Sequence, residues 1–364
     1  MTAAKKRRPR FPGLRLLEAL ATPHGIDRYL ELVHPMLTIR GVRGEVTRVH
    51  RTTADTVTLT IRPTRRWAGF TAGQYVRVSV DIDGVRRTRC YSPATSQHTR
   101  GRFELTIKAH EQGLVSRWLH RNAKPGLILH LSQAEGEFTL PERRPEKVLL
   151  ISGGSGITPV LSMLRTLADE GHTGEVVFLH YAYTEADVPC RADLLELTGK
   201  HPNLRLLLAY TDADDGDLSG FFDHTHLRKA APWHAEAHTY LCGPPGLMAG
   251  VREVFADLGL LDRLHTEDFA PAPITVDAAD ATGDVTFVRA GRAAPNSGQT
   301  LLEQAEAAGL TPDNGCRMGV CFTCTTVKTA GCTRDVRNGE LSTDPDVEIQ
   351  LCVSVPVGDV AIDL

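Results

Sequence analysis

The sequence predicts a multidomain chain of three successive folding units: an antiparallel β-barrel, an α/β layer on a parallel sheet, and a small β-rich domain at the carboxyl end. Three observations predict it. Short β-rich runs broken by Gly and Pro fill residues 44 to about 140. The apolar run Val148-Leu149-Leu150-Ile151-Ser152 then opens onto a glycine loop and a helical pattern. Finally, three cysteines crowd into the stretch Cys316-Arg317-Met318-Gly319-Val320-Cys321-Phe322-Thr323-Cys324, with Cys352 far downstream. The 364 residues suffice for two to three domains, each with its own core.

Composition narrows the function classes. A net charge of -3 and a pI near 6.6 give no nucleic-acid signature. No apolar run reaches 18 residues, so no membrane span is expected. The basic start, Lys5, Lys6, Arg7, Arg8 and Arg10, leads into no signal-peptide core. The expectation is a cytoplasmic protein whose eight cysteines serve as thiols or cluster ligands rather than disulfides.

Residues 1–42 read as an extension. Its five cations stand beside Leu14, Leu16, Leu17 and Leu20, and a second helical stretch carries Ile26, Tyr29, Leu30, Leu32 and Val33. A basic patch beside amphipathic helices suits peripheral contact with an anionic membrane face. The plainer reading, which the short charge run favours, is a solvated tail followed by helices packed on the next domain.

Strands are expected at 45–50, 56–61, 75–80, 86–91 and 103–108, a spacing that indicates a barrel or sandwich. Within it, Arg89-Cys90-Tyr91-Ser92-Pro93 alternates cation, aromatic face and hydroxyl along one strand. Arg89, Tyr91 and Ser92 can therefore meet the phosphate, ring face and ring edge of one ligand. Gly73-Gln74-Tyr75 precedes this motif and Gly113-Leu114-Val115-Ser116 follows it.

The apolar run 148–152 fits a strand buried on both faces. It leads into Gly153-Gly154-Ser155-Gly156-Ile157-Thr158-Pro159 and a helix carrying Val160, Leu161, Met163, Leu164 and Leu167. Strand, glycine loop and helix N-terminus form a pyrophosphate site, because free N–H groups and the helix dipole face the anion. Pro159 is tolerated near the first turn, where its missing donor is not needed. Further strands at 175–181 and 204–210 make this an α/β layer. The layer runs on to the strand before Cys242-Gly243-Pro244-Pro245, where a cysteine at a strand's carboxyl end faces the ligand crevice of such sheets. The alternative is a small buried residue before a turn. Glu267-Asp268-Phe269 ends the layer, and the Ala-, Pro- and Asp-rich stretch 270–283 reads as a linker.

The last unit begins with a strand at 285–289. Thr300-Leu301-Leu302-Glu303 is a capping box that opens a helix to about Ala308. The cysteine loop follows, with closing strands near 348–352 and 360–363. C-x4-C-x2-C with a distant fourth cysteine is the plant-type [2Fe-2S] spacing, so Cys316, Cys321, Cys324 and Cys352 are the expected ligands. Zinc sites favour paired C-x2-C hooks or Cys and His together, and a disulfide cluster suits the redox compartment less well. Cys190 and Cys332 are read as structural.

These motifs, in this order, resemble the ferredoxin-NADP reductase family in its hybrid form with a carboxyl-terminal ferredoxin domain, over residues 44 to 364. The resemblance implies an extension at 1–42, an FAD-binding barrel at 43–143, an NAD(P)H-binding α/β domain at 144–270, a linker at 271–283 and a β-grasp [2Fe-2S] domain at 284–364. Arg89 would meet the flavin pyrophosphate, Tyr91 would stack on the isoalloxazine, and Ser92 would bond near flavin N5. Gly113, Val115 and Ser116 would hold the pyrophosphate. Gly153, Gly154, Gly156, Thr158 and Pro159 would hold the dinucleotide phosphates, and Cys242, Gly243 and Pro244 would face the nicotinamide. Glu267 and Phe269 would lie beside the flavin, with Ser92, Cys242 and Glu267 aligning the reacting centres.

The stretch Ala21-Thr22-Pro23-His24-Gly25-Ile26-Asp27-Arg28-Tyr29-Leu30 is similar to hybrid reductases that serve membrane-bound fatty acyl desaturases, whereas related hybrids serve soluble hydroxylases. The implied partner is an oxygenase or a desaturase. A redox-sensing binding protein is the rival class, disfavoured because a sensor needs no coenzyme domain. Two departures stand out. Phe322 occupies a position where such loops often carry a small residue, and no cation precedes Arg191 after the second α/β strand, where Glu185 and Asp187 oppose a 2′-phosphate. The coenzyme expectation is therefore NAD(P)H.

Overall fold

The computed structural model describes residues 26–39, 41–110, 113–269 and 281–364, apart from 316, 318, 320, 321 and 338. The basic cluster 5–10, the linker stretch 270–280, Cys316 and Cys321 lie outside the described residues.

The first described element is helix α1 (Ile26–Val33). Its Asp27 accepts bonds from Thr38 Oγ1, Ile39 N and Gly41 N, and its Glu31 pairs with the buried Arg43 at 3.1 Å. α1 is thus tied to the unit that follows it, while Leu32 and Val33 stay exposed.

That unit is an antiparallel sheet of β1 (Val42–Arg51), β2 (Thr56–Pro63), β3 (Val76–Ile82), β4 (Val85–Tyr91), β5 (Phe103–Lys108) and, after helix α2 (Leu114–Asn122), β6 (Ile128–Leu131). The order is β4-β3-β6-β1-β2-β5. The sheet curls into a half-barrel: Pro93, just past β4, makes a single antiparallel bridge to Leu105 of β5. Alternating residues Val57, Leu59, Ile61, Val76, Val78 and Val80 fill its interior. Five strands fall where the sequence places them; β6, with only four residues, was not anticipated.

The second unit is parallel throughout. β7 (Lys147–Gly153), α3 (Ile157–Asp169), β8 (Glu175–Ala182), α4 (Arg191–Lys200), β9 (Leu204–Tyr210), β10 (Leu218–Ser219), α5 (His224–Ala230), β11 (His238–Cys242), α6 (Pro245–Asp257) and β12 (Leu264–Glu267) follow in turn. The order is β10-β9-β8-β7-β11-β12. Both faces are covered, which explains why β7 reads as unbroken apolar sequence: Val148 and Leu150 pack under α3, and Leu149 and Ile151 pack against α5 and α6. The chain leaves β7 toward β8 and later returns to β11, so the topological switch lies between β7 and β11.

The third unit is a mixed sheet of β13 (Asp284–Phe287), β14 (Arg292–Pro295), β15 (Thr325–Asp335), β16 (Leu341–Ser342), β17 (Val347–Gln350) and β18 (Ser354–Ile362), with α7 (Leu301–Ala307) packed on it. The order is β14-β13-β18-β15-β16, with β17 paired to β15. Thr300 and Glu303 form the anticipated capping box. Gln350 ends β17, so Leu351 and Cys352 leave the expected strand and lie in a turn.

Candidate active site

Ligands of open α/β sheets bind outside the carboxyl ends of the strands at the switch point. Here those ends carry Gly153, at the close of β7, and Cys242, at the close of β11. Gly154–Gly156 form one tight turn into α3, and Thr158 and Pro159 are buried in its first turn. Gly156 is required by proximity: a Cβ there would stand 2.2 Å from the carbonyl oxygen of Cys242. The two loops therefore lie in contact. Pro244 caps α6, and Pro245 occupies its first position.

Cys242 is fully buried. Burial, then the charges of Glu267 and Asp268, hold its thiol well above the ordinary range, so it is a neutral thiol. Glu267 stands beside it, paired in the β11–β12 register. Burial, then Asp268, pushes the Glu267 carboxyl up to about 8, and its Oε2 is buried without a hydrogen-bond partner.

On the barrel side, Arg89 and Tyr91 share one face of β4. Tyr91 packs against the barrel core, and burial raises its phenol. The next residue, Ser92, is buried with an unpartnered Oγ. Arg89 Nη1 donates to Thr88 O at 2.7 Å and to Gly315 O, in the third unit, at 3.0 Å. Gly113 caps α2. Ser116 Oγ donates to Gly113 O at 3.2 Å and Val115 is buried in the barrel core, so this turn offers an anion its backbone N–H groups rather than those side chains.

One apolar cluster crosses from barrel to parallel sheet, joining Ala72 and Ala94 to Ile157 and Cys242, with Phe269 packed against it. Cys242 belongs to this cluster, Glu267 pairs with it in the β11–β12 register, and Ser92 lies two residues before Ala94. The donor set fits a flavin and a nicotinamide dinucleotide. Three buried polar atoms, Ser92 Oγ, Thr95 Oγ1 and Glu267 Oε2, lack partners here, and α2, α3 and α6 carry no acid in their first turns to neutralise the dipole that favours phosphate. α3 also carries Ser162, Arg165 and Thr166, polar residues at helical spacing inside an otherwise apolar run, a signal that the pattern of apolar residues alone does not use.

In the third unit, pairing of β15 with β17 and a bond from Leu351 N to Cys324 O at 3.1 Å bring Cys324 and Cys352 together. Both are buried, and their sulfurs are 3.2 Å apart, too far for a disulfide. Two thiolates at about 2.3 Å from one tetrahedral metal would stand about 3.8 Å apart, so the pair fits shared ligation after a small shift. Among the described residues there is no group of three or more metal-ligating side chains, and Cys316 and Cys321 lie outside that description. Gly319, at φ +75°, accepts a bond from Arg337 Nη1 at 2.8 Å. Phe322 also has a left-handed backbone, at φ +54°, and is 67% exposed. Cys332 lies away from the pair, in β15 opposite Val357. Cys190 is half-buried, with φ +55°, immediately before α4.

Residues 43–140 match the oxidoreductase FAD-binding domain, and residues 150–253 match the oxidoreductase NAD-binding domain. The chain is 37% identical to an NADPH oxidoreductase of Mycobacterium tuberculosis, over 100% of this chain and 95% of that one. It is 33% identical to the glycine betaine monooxygenase reductase subunit of Pseudomonas aeruginosa, over 81% of this chain and 87% of that one. Among solved structures, phthalate dioxygenase reductase superposes with a TM-score of 0.60 at 24% identity, covering 88% of this chain and 97% of that one. A half-barrel and a parallel sheet meeting at a buried polar seam, together with these likenesses, identify the chain as an oxidoreductase of the ferredoxin-NADP reductase family, with FAD-binding and NAD-binding domains.

Proposed function

We propose that the protein passes electrons from NADPH through FAD to a [2Fe-2S] cluster held by Cys316, Cys321, Cys324 and Cys352, and from there to an oxygen-activating partner protein. The observation that carries this reading is the set of unpartnered buried atoms, Ser92 Oγ, Thr95 Oγ1 and Glu267 Oε2, next to the apolar cluster that joins barrel and parallel sheet. Flavin, when bound, accepts a hydride and returns electrons singly, which reconciles a two-electron donor with a one-electron cluster. Tyr91 supplies a face for the flavin ring, and Arg89 with the α2 N-terminus neutralises its pyrophosphate. The α3 N-terminus takes the coenzyme pyrophosphate. Cys242, as a neutral thiol, packs at the nicotinamide without adding charge. Ser92 and Glu267 orient the reacting centres, where alignment supplies much of the rate.

NADPH is favoured over NADH because the two acids near β8 are already engaged. Asp187 accepts bonds from Thr184 N at 3.1 Å and Thr184 Oγ1 at 2.8 Å, closing a capping box. Glu185 pairs with Arg191, whose Nε is buried without a partner. Arg191 thus brings to the 2′-phosphate region a cation that the sequence alone sets against two acids. The name of the mycobacterial relative agrees with this choice.

The acceptor is an oxygenase component on the pattern of the betaine monooxygenase relative. A membrane acyl desaturase is the second reading; it rests on the 21–30 stretch, of which 21–25 lie outside the described residues. Among the described residues, no helix is long and apolar enough to cross a membrane. The test is NADPH-driven reduction of two acceptors by wild type and Cys352→Ser. The variant should keep dye reduction at the flavin and lose transfer to a one-electron protein acceptor; retained transfer to both would refute a cluster relay. Deleting residues 1–42 separates the partners, since unchanged turnover and membrane association would favour the soluble oxygenase.

A further inference from the structure

Between the barrel and the parallel sheet runs a short strap, residues 94–98, which begins two residues after Ser92. On one side the barrel holds it: Ala94 N donates to Glu104 O at 2.8 Å, and Gln97 Oε1 accepts from Ala72 N at 3.0 Å. On the other side, α3 holds it through residues at helical spacing. Ser162 Oγ donates to Thr95 O at 2.7 Å, Arg165 Nη1 to Ala94 O at 2.9 Å, and Thr166 Oγ1 accepts from Gln97 N at 3.1 Å. Just past the helix end, Glu170 meets His98 Nε2 at 2.8 Å. Arg165 also reaches Glu104 of the barrel at 3.4 Å and Asp193 of α4 at 2.8 Å.

The same helix starts at the glycine turn, and the same strap starts at the flavin motif. One rigid element therefore joins the two halves of the site. Interfaces between domains of one chain default to relative motion unless they are large or strongly held, and this one is held by oriented bonds as well as by the apolar cluster. Ser162 and Thr166 are wholly buried, so each lost bond would leave an unpaired group in the seam.

We propose that the inner face of α3 is an alignment clamp that fixes nicotinamide against flavin, with Arg165 as its positioning residue. Arg165 touches neither reacting group; it acts through the strap and through Ser92. This inference deepens the proposed NADPH-to-FAD step and rests on it.

The test is anaerobic stopped-flow reduction of the flavin-replete full chain over a range of NADPH concentrations. Wild type must bleach with NADPH; if it does not, the electron-transfer reading itself fails. Given bleaching, Arg165→Ala should lower the limiting reduction rate about tenfold or more. The half-saturating NADPH concentration should stay within about twofold, and the long-wavelength charge-transfer absorbance of the coenzyme–flavin complex should weaken. Arg165→Lys should recover part of both signals. Thr166→Val, which keeps side-chain size and removes one bond, should give a smaller loss of the same kind and serves if Arg165→Ala cannot hold flavin. Wild-type limiting rates and absorbance in a folded, flavin-loaded variant, or a loss confined to coenzyme affinity, would overturn the clamp.

Discussion

Glu267 is half-buried with its Oε2 out of solvent, and it retains its proton at neutral pH because burial and Asp268 lift its titration to about 8. Between its ordinary range and about pH 8 the folded state binds more protons than the unfolded chain, so its contribution to stability falls as pH rises through that window. Ionisation above pH 8 would place a negative charge in the seam. We predict that coenzyme-driven flavin reduction declines as pH passes about 8 in wild type and stays flat in Glu267→Gln; a stopped-flow pH profile of both checks this. Arg191→Ala should raise the KM for NADPH about tenfold and change that for NADH less than about twofold, since one charge-assisted pair is worth roughly 1.5 to 3 kcal/mol. Steady-state kinetics with each coenzyme decides it. Ser92, Cys242 and Glu267, proposed to align the reacting centres, can be singled out in the sequence because each sits in a short motif. The role proposed for Arg191 cannot be read that way, because sequence shows Asp187 as a charge and hides its bonds to Thr184.

Among the elements, the contact between the glycine turn and the β11 loop leaves no room for a side chain. A Cβ at Gly156 meets backbone atoms of Cys242 and Gly243 that have no rotamer to yield. Gly156→Ala should cost about 1 to 3 kcal/mol or more and weaken coenzyme binding, read by thermal unfolding and coenzyme titration. The apolar strands β7, β8 and β9 were readable because burial on both faces leaves an unbroken hydrophobic run. β15, the longest strand of the third sheet, was not: Thr-Thr-Val-Lys-Thr-Ala-Gly-Cys-Thr-Arg-Asp carries no such run and is held by β16, β17 and β18. β12 was hidden for a similar reason, since Leu-His-Thr-Glu is half-buried and owes its place to β11. β10, at two residues, is too short to leave a period.

At the scale of the molecule, three units meet in the order in which the electrons are proposed to move. The apolar cluster and the α3 clamp join coenzyme and flavin units, and Arg89 reaches Gly315 at the start of the cysteine loop. The close approach of Cys324 to Cys352 could not be read from the sequence beyond spacing; it depends on β15–β17 pairing. The measurement that bears most directly on the account is the visible spectrum of the anaerobic protein during titration with NADPH. The account predicts flavin bleaching followed by loss of cluster absorbance. Flavin bleaching with no response from the cluster would contradict it, because the third unit would then not be the flavin's acceptor.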